Sequence, residues 1–273
     1  MISFVIWELT TEEPIVNLRV FLNRNFAVGC VLIGSVGVVL YGSTELLPLF
    51  LQTLLGYPAI ESGLAVSPRD VGAIVSMVIV GRMISRLDSR YLIAFGFSVL
   101  TVATYMFVGL NLYIAQSNIV YPMLISGFAM GFVFVPLTTM TMATLPQDEI
   151  GNATGIYNLM RNTGGSIGIS ILAFLLARGS QVHQANLTTH TSPYDPAFQQ
   201  LVEQIKTSMA GAVDTVTATQ QAYQIIYGMV VKQAMVLSYL DCFRLLTVMC
   251  AISIPAAFLF KRVRHAKAVE GAH

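Results

Sequence analysis

Two sets of polar residues embedded in apolar sequence have the types and spacing to do chemistry. Tyr41, Glu45, Pro48 and Gln52 follow one another at i, i+4, i+7 and i+11, which puts them on one helical face, and the proline can open that helix locally. Glu45 is the one carboxylate deep in an apolar stretch. Burial disfavours the charged form of a carboxylate, which is what a reversible proton carrier needs. The plainer alternative is that Glu45 lies near the outer end of a long, tilted helix and reaches water.

The second set, Thr154, Asn158, Arg161, Asn162 and Gly165, also recurs at helical spacing. Arg161 suits an anionic substrate group or a carboxylate; equally, it could snorkel to the membrane surface or cap carbonyls of a neighbouring helix. Motifs of enzymes are missing: the sequence has no HExxH, GxSxG or P-loop and no His or Cys pair at ligand spacing. His183 and His190 are expected in a polar external loop, and His265 and His273 in a basic tail. The chain therefore reads as a non-enzyme without cofactor or metal.

The elements that hold these residues must lie in lipid. Of the 273 residues, 55% are hydrophobic and 11% charged, against roughly 25% charged in a soluble domain, and the mean hydropathy is +0.69. Fifteen basic and 14 acidic side chains could not cover a water-exposed surface, and a net charge of +1 gives no electrostatic basis for binding nucleic acid. Cys30, Cys242 and Cys250 form no disulfide framework and read as small core residues. No charge occurs between Arg90 and Asp148, a stretch of roughly 85 Å as helix, enough to cross a hydrocarbon core of about 30 Å twice. The charge gaps predict six spans near 25–54, 63–84, 91–113, 119–143, 152–177 and 235–260. Gly127 with Gly131, Gly151 with Gly155 and Gly164 with Gly168 allow close helix approach within them.

Orientation follows from the flanking cations. Arg19, Arg24, Arg82, Arg86, Arg90, Lys261, Arg262, Arg264 and Lys267 fall on one side, and Arg178, Lys206 and Lys232 on the other. Both termini are thus expected in the cytoplasm. Residues 1–24 read as the end of a preceding span and a cytoplasmic linker, 25–177 as five membrane helices, 178–234 as an external loop, 235–260 as the last membrane helix and 261–273 as a basic cytoplasmic tail. Within the loop, Asp195 and Pro196 start an amphipathic helix carrying Phe198, Leu201, Val202, Ile205 and Met209 on one face. That helix is either a lid on the protein's own outer face or a docking surface. From about Thr217 the helical pattern continues into the last span, which should project from the membrane.

Several motifs carry a family resemblance. The turn from Gly81 through Arg82, Ser85, Arg86 and Asp88 to Arg90 resembles the second-half loop motif of the major facilitator superfamily. Leu47 to Gln52, Leu55 to Tyr57, Ser62 to Leu64, Pro68 with Arg69, Pro136 to Thr139, the run Gly151 to Gly168 and Tyr239 to Phe243, which includes Asp241, resemble in order the EmrB/QacA group of fourteen-span drug:proton antiporters. Ser85 stands where that loop motif usually has aspartate. The opening residues Phe4 to Leu9 and the long loop are more similar to the Gram-negative EmrB branch.

This resemblance implies an all-α, integral-membrane, six-helix C-terminal bundle of the facilitator fold, lacking its N-terminal half. It implies a multi-pass protein of the bacterial inner membrane that exports hydrophobic, drug-like compounds against protons by alternating access, with a periplasmic adaptor and an outer-membrane channel as partners. Tyr41, Glu45, Gln52, Asn158, Arg161 and Asn162 would line the pathway, with Glu45 coupling protons. Pro48, Arg69 and Asp241 would serve structure or gating. Other open readings are a facilitator of another small molecule and a self-associating six-span channel or scaffold.

Overall fold

The computed structural model describes residues 17–189, 194–209 and 214–261. Among them every regular element is helical. The helices are α1 (Arg24–Thr53), α2 (Ala59–Val66), α3 (Pro68–Met83), α4 (Ser89–Met106), α5 (Ser117–Met142), α6 (Ile150–Thr189), α7 (Pro196–Ser208) and α8 (Thr215–Ala256). Six segments are long and apolar enough to cross a membrane, with α2 and α3 together making one of them.

Polar side chains set the helix starts. Asn23 accepts from the backbone N–H groups of Asn25 and Phe26, and Asp88, Asp195 and Asp214 cap α4, α7 and α8 in the same way. Each cap satisfies donors that a first turn leaves unpaired, which matters most where water is scarce. At the basic end of the bundle two asparagines tie helix ends together. The Asn25 side chain, 2% exposed, exchanges hydrogen bonds with the backbone N–H and C=O of Lys261 at 2.8 and 3.3 Å. Asn23 does the same with Thr144, donating to its carbonyl at 3.2 Å and accepting from its hydroxyl at 2.9 Å.

α1 packs on α6, α3 and α4 on α5, and α8 on both α4 and α6. Glycines permit the closest approaches. A Cβ on Gly127 would strike the carbonyl of Arg69, and one on Gly72 the carbonyl of Leu124, so α3 and α5 touch backbone to backbone. The main core gathers Phe26, Phe50, Phe97, Phe107, Tyr239 and Phe243, all fully buried.

Three boundaries differ from the sequence reading. The second span is broken at Ser67 into α2 and α3. α4 closes at Met106 with a 3-10 turn, Phe107–Gly109, rather than running to 113. The largest difference is α6, a single helix of 40 residues that ends at Thr189 and not near 177, so much of the segment 178–234 is helix rather than loop. No proline falls between Arg178 and Thr189 to stop it. α8 begins at Thr215, close to the expected onset, and α7 occupies its expected place with Phe198, Leu201, Val202 and Ile205 packed on Ala222 and Ile226 of α8. The helix α7 thus covers its own chain. Residues 1–16, His190 and the tail with Arg262, Arg264, His265, Lys267 and His273 lie outside the described residues.

Candidate transport site

The two polar stripes meet on the seam between α1 and α6. The hydroxyl of Tyr41 donates to the side-chain oxygen of Asn162 at 3.3 Å. A Cβ on Gly165 would fall against the Tyr41 ring, and one on Gly37 would strike the carbonyl of Arg161. Gly37 lies about 20 Å along α1 from Arg24 at about 1.5 Å per residue, near the middle of this 30-residue helix. The Arg161 backbone therefore lies against the middle of α1. Its Nε–H is buried and donates to no partner among the described residues. Asn158 sits one turn nearer the basic end, half-buried.

Glu45 lies one turn beyond Tyr41, in the wall of a cavity of about 450 Å³. Gly42, Leu46 and Leu49 of α1, Leu172, Leu176, Ser180 and Gln181 of α6 and Met235 of α8 also line it. The side chain is exposed to this open, mostly apolar space rather than enclosed by its own bundle. A dry surrounding for Glu45 would have to come from whatever covers the cavity.

The remaining residues of the α1 stripe bind α2 and α3. Helix α1 runs unbroken through Pro48, whose carbonyl accepts from the hydroxyl of Ser62 at 3.5 Å. Gln52 donates to that same hydroxyl at 3.2 Å, so it ties α1 to α2 instead of facing the cavity with Glu45. Arg69, 7% exposed, donates from Nη1 to the hydroxyl of Thr44 at 2.6 Å, while its Nη2 has no partner among the described residues.

At the basic end, Gly81 and Arg82 close α3, Arg86 lies in the exposed turn, and Asp88 caps α4 by accepting from the backbone N–H of Arg90 at 3.1 Å. The Nε and Nη2 of Arg90 are buried without a hydrogen-bond partner among the described residues.

Sequence reasoning missed one constellation. His183, expected in a loop, stands on α6 with Nε2 at 2.7 Å from Oδ2 of Asp241 on α8. The other oxygen of Asp241 accepts from Arg244 at 2.7 Å. The helical pattern past Arg178 was the available signal, hidden because a charged residue was read as the end of a span. Thr44, the partner of Arg69, carried no signal at all.

Residues 7–169 match the family Major Facilitator Superfamily. The chain belongs to the major facilitator superfamily. It is 34% identical over 226 residues to the Multidrug export protein EmrB of Haemophilus influenzae, an alignment that takes in 82% of this chain and 44% of that protein. The Multidrug export protein EmrB of Escherichia coli is 34% identical over 74% of this chain and 40% of its own length. The Fatty acid resistance protein FarB of Neisseria gonorrhoeae is 28% identical over 96% of this chain and 50% of its own. The chain spans about half the length of the curated relatives it matches.

Proposed function

We propose that this facilitator bundle serves as the C-terminal half of a proton-coupled multidrug exporter in the bacterial inner membrane. One observation carries the reading: the α1/α6 seam brings Arg161, Asn162, Tyr41 and Glu45 into line at and beyond mid-depth, beside an open apolar cavity. Apolar walls suit hydrophobic substrates, and the few polar groups give orientation. A second six-helix bundle closing over the cavity would dehydrate Glu45 and favour its proton until water entered from one side. The names of the EmrB relatives favour drug-like substrates. The basic end, with Arg24, Arg82, Arg86, Arg90 and Lys261, faces the cytoplasm in this reading. The projecting ends of α6 and α8 with α7 would then face the periplasm and an adaptor leading to an outer-membrane channel.

The test joins the chain to the N-terminal half of the Haemophilus influenzae relative and places it in a strain lacking its own pumps. Energy-dependent extrusion of a hydrophobic dye is expected, and absence of extrusion by a well-inserted protein would count against the reading. In reconstituted vesicles Glu45→Gln should abolish efflux driven by a pH gradient and leave downhill exchange intact. Normal gradient-driven efflux would remove Glu45 from coupling.

A further inference from the structure

We propose that His183 and Asp241 form a second proton-binding site, separate from Glu45, which clasps α6 to α8 at the end of the bundle opposite Arg24, Arg82, Arg86 and Arg90. A carboxylate only accepts hydrogen bonds, so the 2.7 Å contact to Oδ2 places a proton on Nε2 of His183. Proton uptake then occurs at Nδ1 and turns a hydrogen bond from neutral imidazole to the carboxylate into an ion pair. Imidazole is the side chain whose charge ordinarily changes between about pH 5 and pH 8.

The position gives this titration a mechanical consequence. His183 lies one turn beyond Ser180, which lines the cavity, so the pair stands at the cavity's far rim. Tyr239, two residues before Asp241, packs on Phe50 and comes within 3.5 Å of the Thr53 hydroxyl at the far end of α1. Deeper along the same seam, Ser238 donates to the carbonyl of Leu176 at 2.7 Å, a bond that does not titrate in this range. The histidine contact is therefore the pH-sensitive fastening of the seam.

Several charged groups surround the pair. On α8, Arg244 holds the other carboxylate oxygen of Asp241 at 2.7 Å. The packed helices also carry Arg178 on α6, Lys232 on α8 and Glu45 on α1, with Tyr41 on α1 and Tyr227 and Tyr239 on α8, and α5 brings no charge. The exposure of the His183 and Asp241 side chains, 26% and 46%, gives protons access. Proton binding itself does not depend on the proposed orientation; that orientation adds only that the protons come from outside.

Spin labels at Ala185→Cys and Gln224→Cys, both exposed, would report the separation of the projecting ends in the full chain in lipid nanodiscs with equal pH on both sides. The distance distribution should be shorter and narrower at about pH 5.5 than at about pH 8. His183→Gln keeps a donor but cannot charge, and should give the wide distribution at both pH values. His183→Lys, charged throughout, should give the narrow one at both; Asp241→Asn should erase the pH response, and reads the same contact if the lysine variant does not insert. A wild-type distribution independent of pH, or a response that survives His183→Gln, would overturn the site.

Discussion

Tyr41 on α1 donates to Asn162 on α6 at 3.3 Å, and the ring of the same tyrosine lies where Gly165 leaves no side chain. One residue thus joins the two polar stripes and fills the groove between their helices. Tyr41→Phe keeps the packing and removes the bond, so it should cost only about 0.6 kcal/mol, measured by thermal unfolding in detergent. A loss several times larger would mean that the hydroxyl supports more than this pair.

Gly37 and Gly155 should respond in opposite ways to an added methyl. Gly37→Ala drives a methyl into the carbonyl of Arg161 and should destabilise by about 1–3 kcal/mol. Gly155→Ala, with nothing near its Cβ position, should leave the thermal midpoint unchanged or raise it slightly.

Arg69 and Thr44 should respond asymmetrically. Thr44→Val strands a buried guanidinium and should cost about 1–3 kcal/mol. Arg69→Met removes the charge together with its need for a partner and should cost less. Unfolding midpoints of the two variants decide it, and the reverse order would show that Arg69 has another partner within the assembled protein.

The proposed orientation is open to direct labelling. Ala185 and Ser85 are exposed at opposite ends of the bundle, and the native cysteines are buried. In intact cells an impermeant thiol reagent should modify Ala185→Cys and spare Ser85→Cys. The opposite pattern would invert the topology.

The cap of α8 should give a pH signature in acid. The Thr217 hydroxyl, then its backbone N–H, hold the Asp214 carboxyl below its ordinary range, with a further bond from Val216 N–H at 3.2 Å. A carboxyl depressed in the folded state stabilises above its unfolded pKa, and that contribution fades as pH falls through the folded value. Hydrogen exchange at Val216 and Thr217, corrected for intrinsic rates, should therefore speed up in acid. Asp214→Ala should show the faster rate already at neutral pH.

Much of this architecture was legible in the chain. Charge gaps alone specify six spans, because each charged group in hydrocarbon is costly and so marks where a helix leaves it. Helical spacing grouped Tyr41 with Glu45 and Asn158 with Arg161 and Asn162, and Asp195 followed by Pro196 placed α7. Spacing along one helix says nothing about which neighbour it meets. Only the tertiary structure set Tyr41 on Asn162, turned Gln52 and Arg69 toward Ser62 and Thr44, and put Arg161 at the depth of Gly37. It also carried α6 through Arg178 to bring His183 onto Asp241, 58 residues away in sequence. A charge ends a stretch of hydrocarbon but not a helix, whose backbone bonds are internal and continue into water as readily as in lipid.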